Sequence, residues 1–163
     1  MSIEKGIDRL FKIINVVCRL LLLTIFIVMW VVVFGRYLLN KTPIWGEELV
    51  LLALVWLGML SGADALRNDL HIKITIIDKY VSTKFLSVQE VIYDILITAV
   101  SAALLYYAVV ATANTTDINY MGLKISEAFA YAAMPAGYGL FLVVKFEKYY
   151  KKFKNRLKHK EAN

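Results

Sequence analysis

A chain of 163 residues has room for one domain, and 60% of this one is hydrophobic, with a mean hydropathy of +0.60. A soluble domain this small leaves much of its surface in water and could not hide so much apolar side chain, so lipid is the expected solvent for most of it. The net charge is +6, and the single cysteine, Cys18, excludes an internal disulfide, a CxxC pair and a thiolate metal cage.

From Ser2 to Asn15, Ile3, Ile7, Leu10, Phe11 and Ile14 recur at helical spacing, with Glu4, Lys5, Asp8, Arg9 and Lys12 on the other face. This pattern predicts an amphipathic helix that lies in the membrane interface or extends the first span; the alternative is a solvated helical extension. Residues 13–36 are the first predicted span: Leu20 to Phe34 carries no charge, and Arg19 can snorkel to the headgroups. A cleaved signal peptide does not fit, because Gly35-Arg36-Tyr37-Leu38-Leu39 offers no small-x-small cleavage site.

Asn40 to Ile44 reads as a turn, with Pro43 marking the entry to a second span over 47–66. Glu47 and Glu48 then fall in a first helical turn, where exposed amide ends favour carboxylates. Gly58, Ser61 and Gly62 have the small-residue spacing that lets helices approach closely. Leu66 to Ser82 is a polar loop in which Ile72, Ile74, Ile76 and Ile77 sit among Lys73, Asp78 and Lys79. A short interfacial helix is expected there, since a lone strand beside lipid would leave its edges unpaired. The third span is 91–116 and the fourth 127–146, where Pro135 and Gly137 predict a kink. In the tail, 147–163, aromatic and apolar residues form a stripe among lysines, which predicts a continuation of the fourth helix into the headgroups. Lys151, Lys152, Lys154 and Arg156 are its expected lipid contacts. The expected fold is thus one all-α domain of four transmembrane helices with amphipathic N-terminal, inter-span and C-terminal extensions.

Orientation follows from the basic residues. Sixteen of the nineteen lysines and arginines fall in the N-terminal segment, the second loop and the tail. Only Arg36, Lys41 and Lys124 fall in the first and third loops. Four spans put both termini on one face, and the positive-inside rule makes that face cytoplasmic. The basic tail therefore reads as facing lipid rather than nucleic acid.

Resources for chemistry are sparse. A haem-binding bundle needs histidines at membrane depth, and His71 and His159 both lie in polar segments. A proton-coupled carrier usually places a carboxylate in mid-membrane, whereas here each Asp and Glu lies at a boundary. Those boundary charges have two readings. One is interfacial anchoring, with Trp30, Trp45, Trp56 and the tyrosines as an aromatic belt. The other is polar contact between helices or with a partner: Arg36 lies across the bend from Glu47 and Glu48, and Asp64 and Arg67 are spaced to pair on one helix face.

The same residues carry a resemblance. Arg36-Tyr37 after the first span, Trp45-Gly46-Glu47-Glu48-Leu49 opening the second, Trp56-Leu57-Gly58 within it, then Arg67, His71-Ile72 and Asp78 form an ordered set. With Ser126, Tyr131, Pro135 and Gly137 near the end, this set resembles the small membrane subunit of TRAP transporters, the tripartite ATP-independent periplasmic carriers (DctQ-like family). One departure is Asn68-Asp69-Leu70, which lacks the glycine expected just before the histidine.

The resemblance implies a non-catalytic inner-membrane subunit that binds no cofactor itself. It pairs with a large membrane subunit that holds the sodium and substrate sites and moves elevator-fashion. The small subunit braces the fixed scaffold, and a soluble periplasmic protein delivers an organic acid such as sialic acid or a C4-dicarboxylate. The expected interface between helices or with the large subunit is Arg36, Tyr37, Trp45, Glu47, Glu48, Trp56, Gly58, Gly62, Asp64, Arg67 and His71. By position, Lys41, Thr42, Asp117, Asn119 and Lys124 are the expected contacts with the binding protein. The rival readings are a self-sufficient homodimeric exporter, the membrane anchor of a redox enzyme, and a structural bundle with no transporter partner.

Overall fold

The computed structural model describes residues 2–68 and 83–161. The predicted interfacial helix beyond Asn68, and with it His71, lies outside the described residues. Helix α1 runs unbroken over Ser2–Leu39, so the amphipathic segment extends the first span. At 1.5 Å per residue it is about 57 Å long, well beyond a hydrocarbon core of about 30 Å. Asn40 ends it in the left-handed region, with φ 49°, a conformation asparagine tolerates better than most residues. The Lys41 amide then donates to the Gly35 carbonyl at 3.2 Å, turning the chain back.

Pro43 is the N-cap of α2, Ile44–Arg67. Helix α3, Thr83–Asn114, leads into a tight turn, and the short α4, Ala128–Tyr131, precedes α5, Ala133–Glu161. Among the described residues, four stretches are long and apolar enough to cross a membrane: Lys5–Leu38, Ile44–Arg67, Ile92–Asn114 and Ala128–Lys151.

The fourth span is interrupted, but not where its punctuating residues stand. The irregularity falls at Ala132, upstream of Pro135, and it is shallow: Ala132 keeps φ −61° and ψ −21°, and its amide still reaches the Ala128 carbonyl at 2.8 Å. Pro135 sits in the first turn of α5. Having no N–H, it cannot bond back to the Tyr131 carbonyl, which displaces the break one turn towards the N-terminus. Gly137 serves packing instead. A Cβ there would stand 2.8 Å from Met59 Cβ, so its lack of a side chain lets α5 lie directly on α2.

The principal packing runs α1 on α2, α2 on α5 and α5 on α3, which makes a row with α1 and α3 at its edges. One buried cluster (Phe11, Ile14, Leu60, Ala63, Leu66 and Val144) joins α1, α2 and α5 near the chain termini. A second, of Val28, Val32 and Val50, joins α1 to α2 towards the other end. Outside these seams the row is covered by exposed apolar side chains such as Leu22, Phe26, Ile95 and Val109. Such a surface is stable in lipid and not in water.

Candidate functional site

Polar side chains collect at the two ends of the row. At the end holding the α1–α2 bend, Arg36 Nη2 donates to Glu47 Oε1 at 3.0 Å and Nε donates to Thr42 Oγ1 at 3.3 Å. Both members of this ion pair are more than half exposed, so it orients the bend but stabilises it little. Glu48 does something else. Its carboxylate accepts the Gly122 amide at 3.0 Å on each oxygen and the Leu123 amide at 2.8 Å. These bonds to an ionised acceptor are among the stronger kind, and they tie the α3–α4 turn to α2. Glycine is needed at 122 because a Cβ there would fall 2.6 Å from the Trp45 backbone nitrogen.

The turn is further set by its own bonds. Lys124 takes a left-handed φ of 54°, its amide reaches the Tyr120 carbonyl at 3.1 Å, and Asn119 pairs with Ser126 in an isolated bridge. The Ser126 hydroxyl accepts the Ala128 amide at 3.1 Å, at the entry to α4, and donates to the Thr116 carbonyl at 2.9 Å. Burial, aided by the neighbouring carboxylates of Glu127 and Glu48, pushes the Tyr120 phenol above its ordinary value of 10.0, so it stays protonated.

At the opposite end, Arg67 is the hub. It grips Glu147 with two parallel bonds, Nε to Oε2 and Nη2 to Oε1, each 3.0 Å. It also donates to Asp8, and its guanidinium lies 4.7 Å from the centre of the Phe11 ring. Glu147 is held in addition by Lys151 at 2.6 Å. Helices α1, α2 and α5 therefore meet at one arginine. Beside it Lys148 donates to the Leu66 carbonyl at 2.7 Å, and Lys145 pairs with Asp94, bringing in α3.

These positions change several expectations. Glu47 and Glu48 do not act together: one faces Arg36 and the other faces a separate turn, because adjacent helical residues point about 100° apart. Asp64 and Arg67 do not pair. Asp64 accepts from Asn15 Nδ2 at 3.2 Å, while Arg67 is occupied by carboxylates of two other helices. Trp56 donates its indole N–H to the Phe129 carbonyl at 3.0 Å, tying α2 to α4. Gly62 lies against Phe141, but a Cβ at Gly58 would meet nothing, and Tyr37 is 79% exposed. Lys41, Asp117, Asn119 and Lys124 are exposed at the Arg36 end, and Thr42 is half-buried. Lys151 is engaged with Glu147, and the side chains of Lys152, Lys154 and Arg156 lie outside the described part.

The sequence reading missed Asp8, Asn15, Asp94, Lys145 and Glu147. Glu147 had left a signal, since a carboxylate amid Lys145, Lys148, Lys151 and Lys152 is out of place in a purely lipid-facing tail. The Gly122 and Leu123 amides left none.

Apolar crossing helices whose polar groups are spent on fixing one helix to another define a multi-pass membrane protein, with its charged groups gathered at the ends of the row. The family model for tripartite ATP-independent periplasmic transporters, DctQ component, matches residues 9–155. The chain belongs to that family and is a membrane component of such a transporter. A comparison with curated proteins gives no match.

Proposed function

We propose that the chain is the small, non-catalytic subunit of a sodium-coupled carrier that imports an organic acid, a carboxylate such as sialic acid or a C4-dicarboxylate. Sodium and solute are handled by the large membrane subunit, and this chain braces that subunit's fixed scaffold. The observation that carries the reading is the family match over residues 9–155, joined to an open helix row with α1 and α3 at its edges. Arg36, Glu47, Glu48, Asp64 and Arg67 all find partners within the chain. They make the brace stiff, and contact with the large subunit falls to uncovered residues such as Tyr37 and Gly58. The α1–α2 bend and the α3–α4 turn share one end and form a preset face for the solute-binding protein. The excess of lysine and arginine in the N-terminal segment, the second loop and the tail supports a cytoplasmic location for both termini.

Co-expression with the large subunit and mild-detergent purification test this reading. A stable heteromer is expected, with sodium-driven uptake of the carboxylate that depends on both chains. Gly58→Trp should break co-purification while leaving this chain folded. Recovery of the chain only as its own oligomer, or transport by it alone, would overturn the reading.

A further inference from the structure

An open groove of about 780 Å³ runs along α1 beside the bend into α2, a volume within the range of small-molecule sites. Ile27, Trp30, Val31, Phe34 and Leu38 form its length, and Trp45 closes one side. Its wall is a ladder of rings, with Trp30 stacked on Phe34 at 5.2 Å. From Ile27 to Leu38 the helix rises about 16 Å, close to half of a hydrocarbon core of about 30 Å. The groove is therefore one leaflet deep and open to the side. An apolar slot of that depth in a bilayer takes an acyl chain.

Charge at the mouth selects the head group. Lys41 and Thr42 line that end, and the Lys41 ammonium meets no carboxylate among the described residues. The neighbouring charge of Arg36 is compensated by Glu47. Thr42 Oγ1 accepts from Arg36 and keeps its own hydrogen to donate. One uncompensated cation above a leaflet-deep slot matches a lipid of one net negative charge. A zwitterionic lipid brings its own ammonium and gains less.

We infer that this groove binds an anionic glycerophospholipid of the phosphatidylglycerol class, with one acyl chain along α1 and the phosphodiester on Lys41. The site needs only a bilayer around α1, so it goes beyond the assignment of partners and is tested on the isolated full chain. Native mass spectrometry of the purified protein, titrated with phosphatidylglycerol or phosphatidylcholine, should show one lipid retained, with the anionic one favoured about fivefold. Lys41→Gln should erase the preference and Lys41→Arg keep it. Val31→Trp, which fills the slot, should lower retention of both lipids. Equal retention of the two lipids by the wild type, or an unchanged preference in Lys41→Gln, would overturn the inference. So would a photo-crosslinker at position 31 that joins the large subunit in a lipid-free complex, since the groove would then be a protein contact. Lys41 is exposed, so its variants fold even if Val31→Trp does not.

Discussion

Removing Glu147 is the sharpest perturbation of this structure. Its side chain is 4% exposed and that of Arg67 17%, so the pair is nearly dry, and both of its bonds are 3.0 Å. Breaking a buried pair by deleting one member costs about 3–5 kcal/mol, because the remaining charge is stranded. Here Arg67 keeps Asp8, and the lost bond to Lys151 is half exposed and worth at most about 1 kcal/mol, so about 3 kcal/mol is expected for Glu147→Leu. Arg67→Met should cost a similar amount, because the buried Glu147 then keeps only the half-exposed Lys151. The double variant should recover most of the loss, because an apolar pair of like volume avoids the desolvation penalty. Equilibrium unfolding in mixed micelles, followed by helical signal, measures all three. Single variants within about 0.5 kcal/mol of wild type would refute the reasoning, as would a double variant that shows the plain sum.

Three further outcomes follow from other contacts. Glu48→Ala should speed hydrogen exchange at the Gly122 and Leu123 amides at least tenfold, since each loses an ionised acceptor worth about 1.5–3 kcal/mol; unchanged protection would remove the anchoring role. Alanine should have opposite effects at two glycines, visible in unfolding midpoints of the isolated chain. At Gly137 it should destabilise by about 1–3 kcal/mol through collision with Met59, and at Gly58, where space is open, it should stabilise by about 0.5–1 kcal/mol. Trp56→Phe should cost about 1 kcal/mol by orphaning one bond to the Phe129 carbonyl, and no change would show that water replaces it.

What the sequence revealed, and what it hid, divides along a physical line. Spans are legible because hydropathy over twenty residues is a sum, insensitive to the fate of any one side chain. The Arg36–Glu47 pair was legible for a related reason: it is local, and a four-residue bend leaves few alternatives. Arg67 was legible as important but assigned the wrong neighbour. Spacing on one helix offers Asp64, while the fold brings in Glu147 from eighty residues away. The small-residue pattern was legible only in part. Gly62 does meet another helix, at Phe141, but Gly58 faces open space, and the close approach of α5 to α2 at Gly137 on Met59 is a relation between two helices that neither sequence segment contains.

The two ends also differ in how they resist disturbance. At the Arg67 end, fixation is side chain to side chain, across three helices, and substitution of a partner can undo it. At the opposite end, Glu48 holds backbone amides, which substitution at the exposed positions of the turn leaves in place; only proline, or a side chain at Gly122, would remove them. The turn can therefore vary its exposed residues, Asp117, Asn119 and Met121 among them, without losing its position on α2. A surface that must match a particular partner benefits from that separation of anchoring from display. Exchanging Asp117 and Asn119 for residues of another charge should accordingly alter partner capture while amide protection at 122 and 123 stays at the wild-type level; loss of that protection would mean the displayed residues also hold the turn.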